Sequence, residues 1–220
     1  MKNLLILIKR EIKLILRNSK SLLSYSSFFF ISLLIFVFTI GPDSETLKKL
    51  YVPILWIIII FSLILISESF VLEDYIDGSL SELQFLGYAE EIIFLAKSIA
   101  MFLSLVVPNI ILIPLTSIFF GVDLAYTLNT IFILFLSLPT LTLITILSAF
   151  MSLQIKRNKF INFILVMPFF IPTVIFSTSS NFFNYEINPE FKFFILIGLF
   201  LITLPITIIF GKLIIKEINY

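Results

Sequence analysis

The chain contains no cysteine and no histidine among its 220 residues. Without cysteine it can form neither disulfides nor thiolate metal sites. Without histidine it lacks the usual proton shuttle and the commonest ligand of metals and haem. Charged residues are also scarce, at 13% of the chain against about 25% in ordinary soluble domains. This composition therefore argues against metal-dependent and redox enzymes and against a soluble domain.

Apolar residues, in contrast, make up 60% of the chain, and the mean hydropathy is +1.14. A bilayer core about 30 Å thick needs roughly 20 apolar residues per helix. Six runs of about that length cover residues 22–40, 52–70, 94–118, 128–153, 160–180 and 193–215. The predicted fold class is an all-α integral membrane protein with six transmembrane helices, in which residues 1–220 form a single domain.

The segment before the first run predicts an amphipathic helix over residues 2–20 that lies in the membrane surface as an elbow. At 100° per residue its basic residues fall within an arc of about 100°, and leucine and isoleucine cover much of the rest. Glu11 falls roughly opposite the basic stripe, so it either extends toward solvent or meets a polar partner from the protein. The alternative is that the basic stripe is only a topology signal. The residues assigned to the elbow are Lys9, Arg10, Glu11, Lys13 and Arg17.

Lysine and arginine are distributed unevenly between the two sides of the predicted membrane. Twelve lie on the side that holds both termini, and three, Lys48, Lys49 and Lys192, lie on the other. Because basic residues concentrate in cytoplasmic loops, we expect both termini to be cytoplasmic.

No phosphate-binding loop is present. The motif GxxxxGK requires a following Ser or Thr, whereas the only Gly-Lys pair, Gly211-Lys212, precedes Leu213. An ion-coupled carrier would need ionisable groups deep in the membrane, yet Glu68, Lys97 and Lys212 all lie near predicted span ends. We therefore expect no catalytic residue, no metal site and no transport powered by this chain alone.

Residues 72–83, LEDYIDGSLSEL, are called the acidic segment below. Asp77-Gly78 is a turn signal, and Ser79 followed by Glu82 fits the capping-box pattern. Gly87 suits a left-handed helix end. The pattern predicts a short cytoplasmic helix over about residues 79–87, between the second and third spans.

This short helix carries leucines at three-residue spacing, Leu80, Leu83 and Leu86. We expect it to present this stripe to a cytoplasmic partner, with the leucines in a groove and the acids on a basic rim. The alternative is a capped linker whose leucines dip into lipid. The residues assigned to docking are Glu73, Asp74, Asp77, Gly78, Ser79, Leu80, Glu82, Leu83 and Leu86.

Two patterns carry a resemblance to known membrane proteins. The elbow KREIKLILR, followed by a span and an acid-x-x-acid-Gly-Ser-Leu-x-x-Leu arrangement, resembles the permease subunits of ABC-2 type transporters. A longer series of stretches is similar to the heme exporter protein B family (CcmB). That series comprises Ile40-Gly41-Pro42, Pro53, Trp56, the acidic segment, Leu95-Ala96-Lys97, Gly121, Pro139-Thr140-Leu141 and Met167 to Phe176.

The resemblance implies a permease subunit of an ABC transporter complex for cytochrome c maturation, in a bacterial inner membrane. Its implied partners are a cytoplasmic ATPase that docks on the acidic segment, a haem-handling membrane subunit and a periplasmic haem chaperone. It leaves room for a homodimer and gives no reason to expect nucleic acid. Haem would be a transported or handled ligand rather than a resident cofactor, contacted through Tyr, Met or apolar packing. The alternatives are an ABC-2 permease for a lipid, glycan or drug, and a membrane scaffold without transport.

Overall fold

The computed structural model describes residues 2–17, 19–154, 168–178 and 189–218. The described residues form eight helices connected by short turns or by residues outside these ranges. They are α1 (Lys2–Arg17), α2 (Ser19–Ile40), α3 (Ser44–Ile76), α4 (Ser79–Phe85), α5 (Glu90–Phe120), α6 (Leu124–Gln154), α7 (Pro168–Thr178) and α8 (Pro189–Glu217).

Five helices in the described ranges are long and apolar enough to cross a membrane: α2, α3, α5, α6 and α8. Each covers one of the predicted spans, which confirms a helical multi-pass membrane protein. The predicted span over residues 160–180 lies partly outside the described residues and partly on α7. The total of six spans therefore stays a prediction.

Helix α3 is much longer than the span predicted within it. Its 33 residues extend about 50 Å at 1.5 Å per residue, well beyond a hydrocarbon core of about 30 Å. Asp43 caps its start by accepting hydrogen bonds from Thr46 Oγ1 and, at 3.2 Å, from the Glu45 amide. These bonds, the Thr46 bond foremost, hold the pKa of the Asp43 carboxyl below its ordinary value. The helix then continues to Ile76, so the first half of the acidic segment is helical.

The long helices divide into central and peripheral ones. In the apolar stretch of α3, 67% of the residues are buried, and in that of α6, 61% are buried. The corresponding shares are 17% for α2 and 11% for α8. Buried hydroxyls in the central helices mostly bond carbonyls of their own helix; Ser62 donates to the Ile58 carbonyl at 2.7 Å. A cross-helix bond joins α2 to α5, where Tyr25 Oη donates to Asn109 Oδ1 at 2.8 Å.

Helix α8 approaches α5 closely at Gly211. A Cβ atom at this position would lie 2.6 Å from Cδ2 and 2.7 Å from Cγ of Phe94. The Phe94 ring is fully buried, so it has little room to move away. A glycine is therefore required for close packing at this point, whereas Gly198 in the same helix has open space around it.

We predict that Gly211→Ala destabilises the protein relative to Gly198→Ala. Both changes remove a helical glycine, which favours the helix by up to about 1 kcal/mol. Only the first also forces a methyl into a packed contact, at a cost of about 1–3 kcal/mol. Thermal denaturation of the two variants in detergent measures the difference, and equal midpoints would contradict the close approach.

Candidate functional site

Helix α1 buries a narrow stripe against α5, and a carboxylate lies at its centre. The stripe consists of Leu7, Glu11 and Ile15, spaced four residues apart on one face of the helix. Glu11 is only 1% exposed. A buried ionised carboxylate is costly unless it is paired, so its partner decides whether this packing is stable.

The partner is Lys97, a fully buried residue of α5. Its Nζ donates to Glu11 Oε2 at 3.0 Å and also to Asp74 Oδ2 in the last turn of α3. The same ammonium lies 4.3 Å from the ring centroid of Phe70, within the range of a cation–π interaction. One lysine thus joins three helices that are distant in sequence.

Arg10 completes the group as its most exposed member. Its Nη1 lies 2.5 Å from Glu11 Oε1 and 3.7 Å from Asp74 Oδ2, and its side chain is 31% exposed. Arg10, Glu11, Asp74 and Lys97 are called the charge network below. Two cations and two anions give the network no formal net charge, which lowers the cost of its burial.

The network answers the question that the sequence left open for Glu11. Glu11 meets a polar partner from the protein rather than extending to solvent. Lys97 entered the sequence analysis as a charge near a span end and as part of the resemblance, but no carboxylate partner was predicted for it. Its signal was present, because a lysine within the apolar run IIFLAKSIAMF is expected to have a carboxylate partner.

The predicted docking role of Asp74 is wrong. The sequence placed it on a docking surface, but the residue is only 8% exposed and its carboxylate faces Lys97. The physical reason is the demand of a buried ammonium for compensating charge, which Glu11 and Asp74 meet together. The sequence pattern alone does not reveal which carboxylates meet that demand, since Lys97 follows Asp74 by 23 residues.

The short helix of the acidic segment begins where predicted, but its cap differs. Helix α4 starts at Ser79, yet its N-cap is Gly78, with φ of +75° and no side-chain cap bond. The predicted capping box is wrong because the turn at Gly78 already places Ser79 inside the helix. Ser79 Oγ instead donates to the Asp74 carbonyl at 3.5 Å. At the other end Gly87 has the predicted left-handed conformation, with φ of +81°.

The leucine stripe was predicted to face a partner, and this is also wrong for two of its three leucines. Leu80 is 1% and Leu83 5% exposed, because α4 packs back onto α3 rather than standing clear of it. Gln84 Nε2 further ties α4 to α8 by donating to the Ile215 carbonyl at 3.1 Å. Only Leu86 of the three leucines is exposed, at 70%.

Phe85 was not among the predicted docking residues. It precedes Leu86 directly, and its side chain is 94% exposed. It follows Leu83 by two residues, about 200° around the helix, so burial of Leu83 turns Phe85 outward. Glu82 is exposed in the same helix. Glu82, Phe85 and Leu86 are called the α4 patch below. Glu73 and Asp77, at the end of α3, are also exposed and lie a few residues before the patch in the sequence.

The remaining elbow residues lie outward. Lys9, Lys13 and Arg17 are exposed, and α1 ends at Arg17 rather than at residue 20. A cavity of ≈ 350 Å³ separates the C-terminal end of α1 from α2 and α3. Its lining brings Arg17 together with Glu73, Asp74 and Asp77. The end of α1 and the acidic segment, far apart in sequence, therefore line the same cavity.

Comparison with known proteins shows similarity to one family along most of the chain. A family model described as "CcmB protein" matches residues 2–211. Heme exporter protein B of Haemophilus influenzae is 29% identical over 79% of this chain and 78% of its own length. Heme exporter protein B of Bradyrhizobium diazoefficiens is 27% identical over 80% of this chain and 79% of its own. An uncharacterised protein of Rickettsia prowazekii is 29% identical over 99% of this chain and 98% of its own.

We predict that Lys97→Met destabilises the fold by about 3–5 kcal/mol, since it leaves two buried carboxylates that share Arg10 as their remaining cation within the charge network. The matched control is Lys212→Met, which removes a half-exposed lysine bonded to Glu91 at 2.5 Å. Exposed pairs of that kind contribute about 0–1 kcal/mol. Thermal denaturation in detergent compares the two variants. Similar losses of stability in both would contradict the central role of Lys97.

Proposed function

The chain belongs to the CcmB protein family, and from that premise we propose that it is the membrane subunit of an ATP-driven complex for cytochrome c maturation. The complex would export haem or deliver it to a periplasmic chaperone. The observation that carries the proposal is the α4 patch: a short helix between two membrane helices exposes apolar and acidic groups. A chain without a phosphate-binding loop needs such a surface to receive work from an ATPase.

The α4 patch suits a soluble protein partner better than lipid. Beyond residue 70, α3 continues for six residues, or about 9 Å, which carries α4 away from the end of the apolar run. Three exposed carboxylates, Glu73, Asp77 and Glu82, belong to this region. The negative potential of a cytoplasmic leaflet disfavours acidic groups at its surface. An apolar groove with a basic rim on the ATPase would match both Phe85 with Leu86 and the acids.

The proposed orientation places both termini and the α4 patch in the cytoplasm of a bacterium, with the spans in the inner membrane. The distribution of lysine and arginine supports it. Helix α1 supports it as well. One face packs on α5, and the opposite side exposes Leu5 and Leu16 together with Lys9 and Lys13. An exposed side that carries both apolar and basic groups fits lipid tails and lipid phosphates, as an interfacial elbow requires.

The part taken by this chain is the conversion of ATP turnover in the partner into movement of membrane helices. Haem would be handled with the help of a second membrane subunit, since this chain has neither histidine nor cysteine to ligate its iron. A second copy of the chain in the complex is compatible with this role.

We predict that depletion of this chain in its own host abolishes the formation of c-type cytochromes. Without the complex, haem does not reach the apocytochromes, whereas b-type cytochromes need no such delivery. Haem-stained gels measure the first and difference spectra the second. Normal c-type cytochromes after depletion would reject the proposed function. An inactive ATPase partner should give the same loss; a scaffold without transport would tolerate it.

We further predict that Phe85→Asp combined with Leu86→Asp abolishes co-purification of the ATPase from mild detergent. Two buried charges at the centre of an interface cost several kcal/mol, which corresponds to about 10²–10⁴-fold in affinity. The variant should remain folded because both side chains are exposed.

The matched control is Leu124→Asp, at the start of α6 on the opposite side of the predicted membrane. Leu124 is also highly exposed, yet its change should leave the ATPase bound. Equal ATPase recovery from the double variant and the control would remove the α4 patch from the interface. Leu83→Asp, in contrast, should destabilise the protein, since Leu83 is buried.

A further inference from the structure

We propose that Glu11, Asp74 and Lys97 are positioning residues that hold α1 in one register on α5 and tie that register to the acidic segment. When the partner displaces the acidic segment, α1 then moves with it. This inference rests on the proposed function and assigns to the elbow helix a part in coupling.

The carboxylate of Glu11 fixes the register of α1 on α5. The buried stripe of α1 would consist of leucine and isoleucine alone if Glu11 were apolar, and such a stripe can pack at positions one helical turn apart, about 5.4 Å. A carboxylate in its centre permits only the position at which it reaches Lys97. Specifying register is the best-attested use of a buried polar group in a helix interface.

Asp74 links the charge network to α4. Asp74 lies in the last turn of α3, three residues before the C-cap Asp77. Its side chain bonds Lys97, while its carbonyl accepts from Ser79 Oγ, the first residue of α4. Any displacement of α4 relative to α5 therefore acts on Asp74 and, through Lys97, on Glu11.

Separation of the charged groups from one another costs free energy. Lys97 is fully buried, so withdrawal of either carboxylate leaves charge poorly compensated in a medium of low dielectric constant. Arg10 is the member of the network that solvent reaches, and its Nη1 lies near both carboxylates. It can follow Asp74 or Glu11 during a movement, so α1 and the end of α3 remain connected by charge.

A variant with an apolar network separates positioning from stability. In Glu11→Leu with Asp74→Leu and Lys97→Met, no buried charge remains unpaired, and replacements of this kind are often neutral or stabilising. Arg10, whose side chain is 31% exposed, can turn its guanidinium toward solvent. We expect the variant to fold and to retain the ATPase on its α4 patch, but to yield about 5- to 150-fold less c-type cytochrome per ATP hydrolysed. A yield equal to that of the native chain would overturn the proposal.

A direct measurement of register complements the yield. Because the chain has no cysteine, Lys13→Cys on α1 and Leu103→Cys on α5 give two unique sites for spin labels. Both residues are exposed. In the complex with the ATPase, the native network should give one narrow distance distribution that shifts on addition of nucleotide. The apolar variant should give a broad one that does not shift. A distribution that nucleotide leaves unchanged in the native network would overturn the proposal.

Should the apolar variant fail to fold, Glu11→Gln serves the same purpose. It preserves the volume and an acceptor for Lys97 but weakens the charge that selects the register. We expect a broadened distance distribution, and a distribution identical to the native one would overturn the proposal. Failure of the proposed function itself is distinct, since there the native chain would neither retain an ATPase nor support c-type cytochromes.

Discussion

The structure depends on the burial of one ammonium group. Lys97 lies inside the bundle with no exposed surface, and two carboxylates from other helices meet it there. The free-energy cost of an unpaired charge in that position would be too large for a stable fold. The need for compensation therefore decides which face of α1 packs on α5, and it decides that the last turn of α3 points inward. Arg10 balances the second carboxylate and brings the network to the surface.

This constraint gives α1 a different character from that of a detached amphipathic helix. Its central carboxylate is directed at protein, whereas the opposite side exposes Leu5 and Leu16 together with Lys9 and Lys13. Under the proposed function, one side of α1 would meet the membrane surface and the other the helices of the bundle. The cavity that brings Arg17 near Asp77 places the end of α1 beside the acidic segment as well.

Residues 72–86 have an inward and an outward side. The inward groups, Asp74, Leu80 and Leu83, are buried in the fold. The outward groups, above all Glu82, Phe85 and Leu86, form the exposed surface on which we propose that a partner acts. Leu80 and Leu83 belong to the same short helix as Glu82 and Phe85, so a partner bound to the exposed side would also act on the buried side.

The sequence by itself determined the membrane-spanning helices, the break at Gly78 and the start of a helix at Ser79. These features are local, since apolar length and glycine conformation are properties of neighbouring residues. It could not decide which side of α4 faces inward, because three-residue spacing of leucines is the same for a core face and a docking face. Nor could it pair Lys97 with Glu11, 86 residues away. Only the tertiary structure decided those points, since the partner of a buried charge and the neighbour of a leucine are set by how distant helices pack.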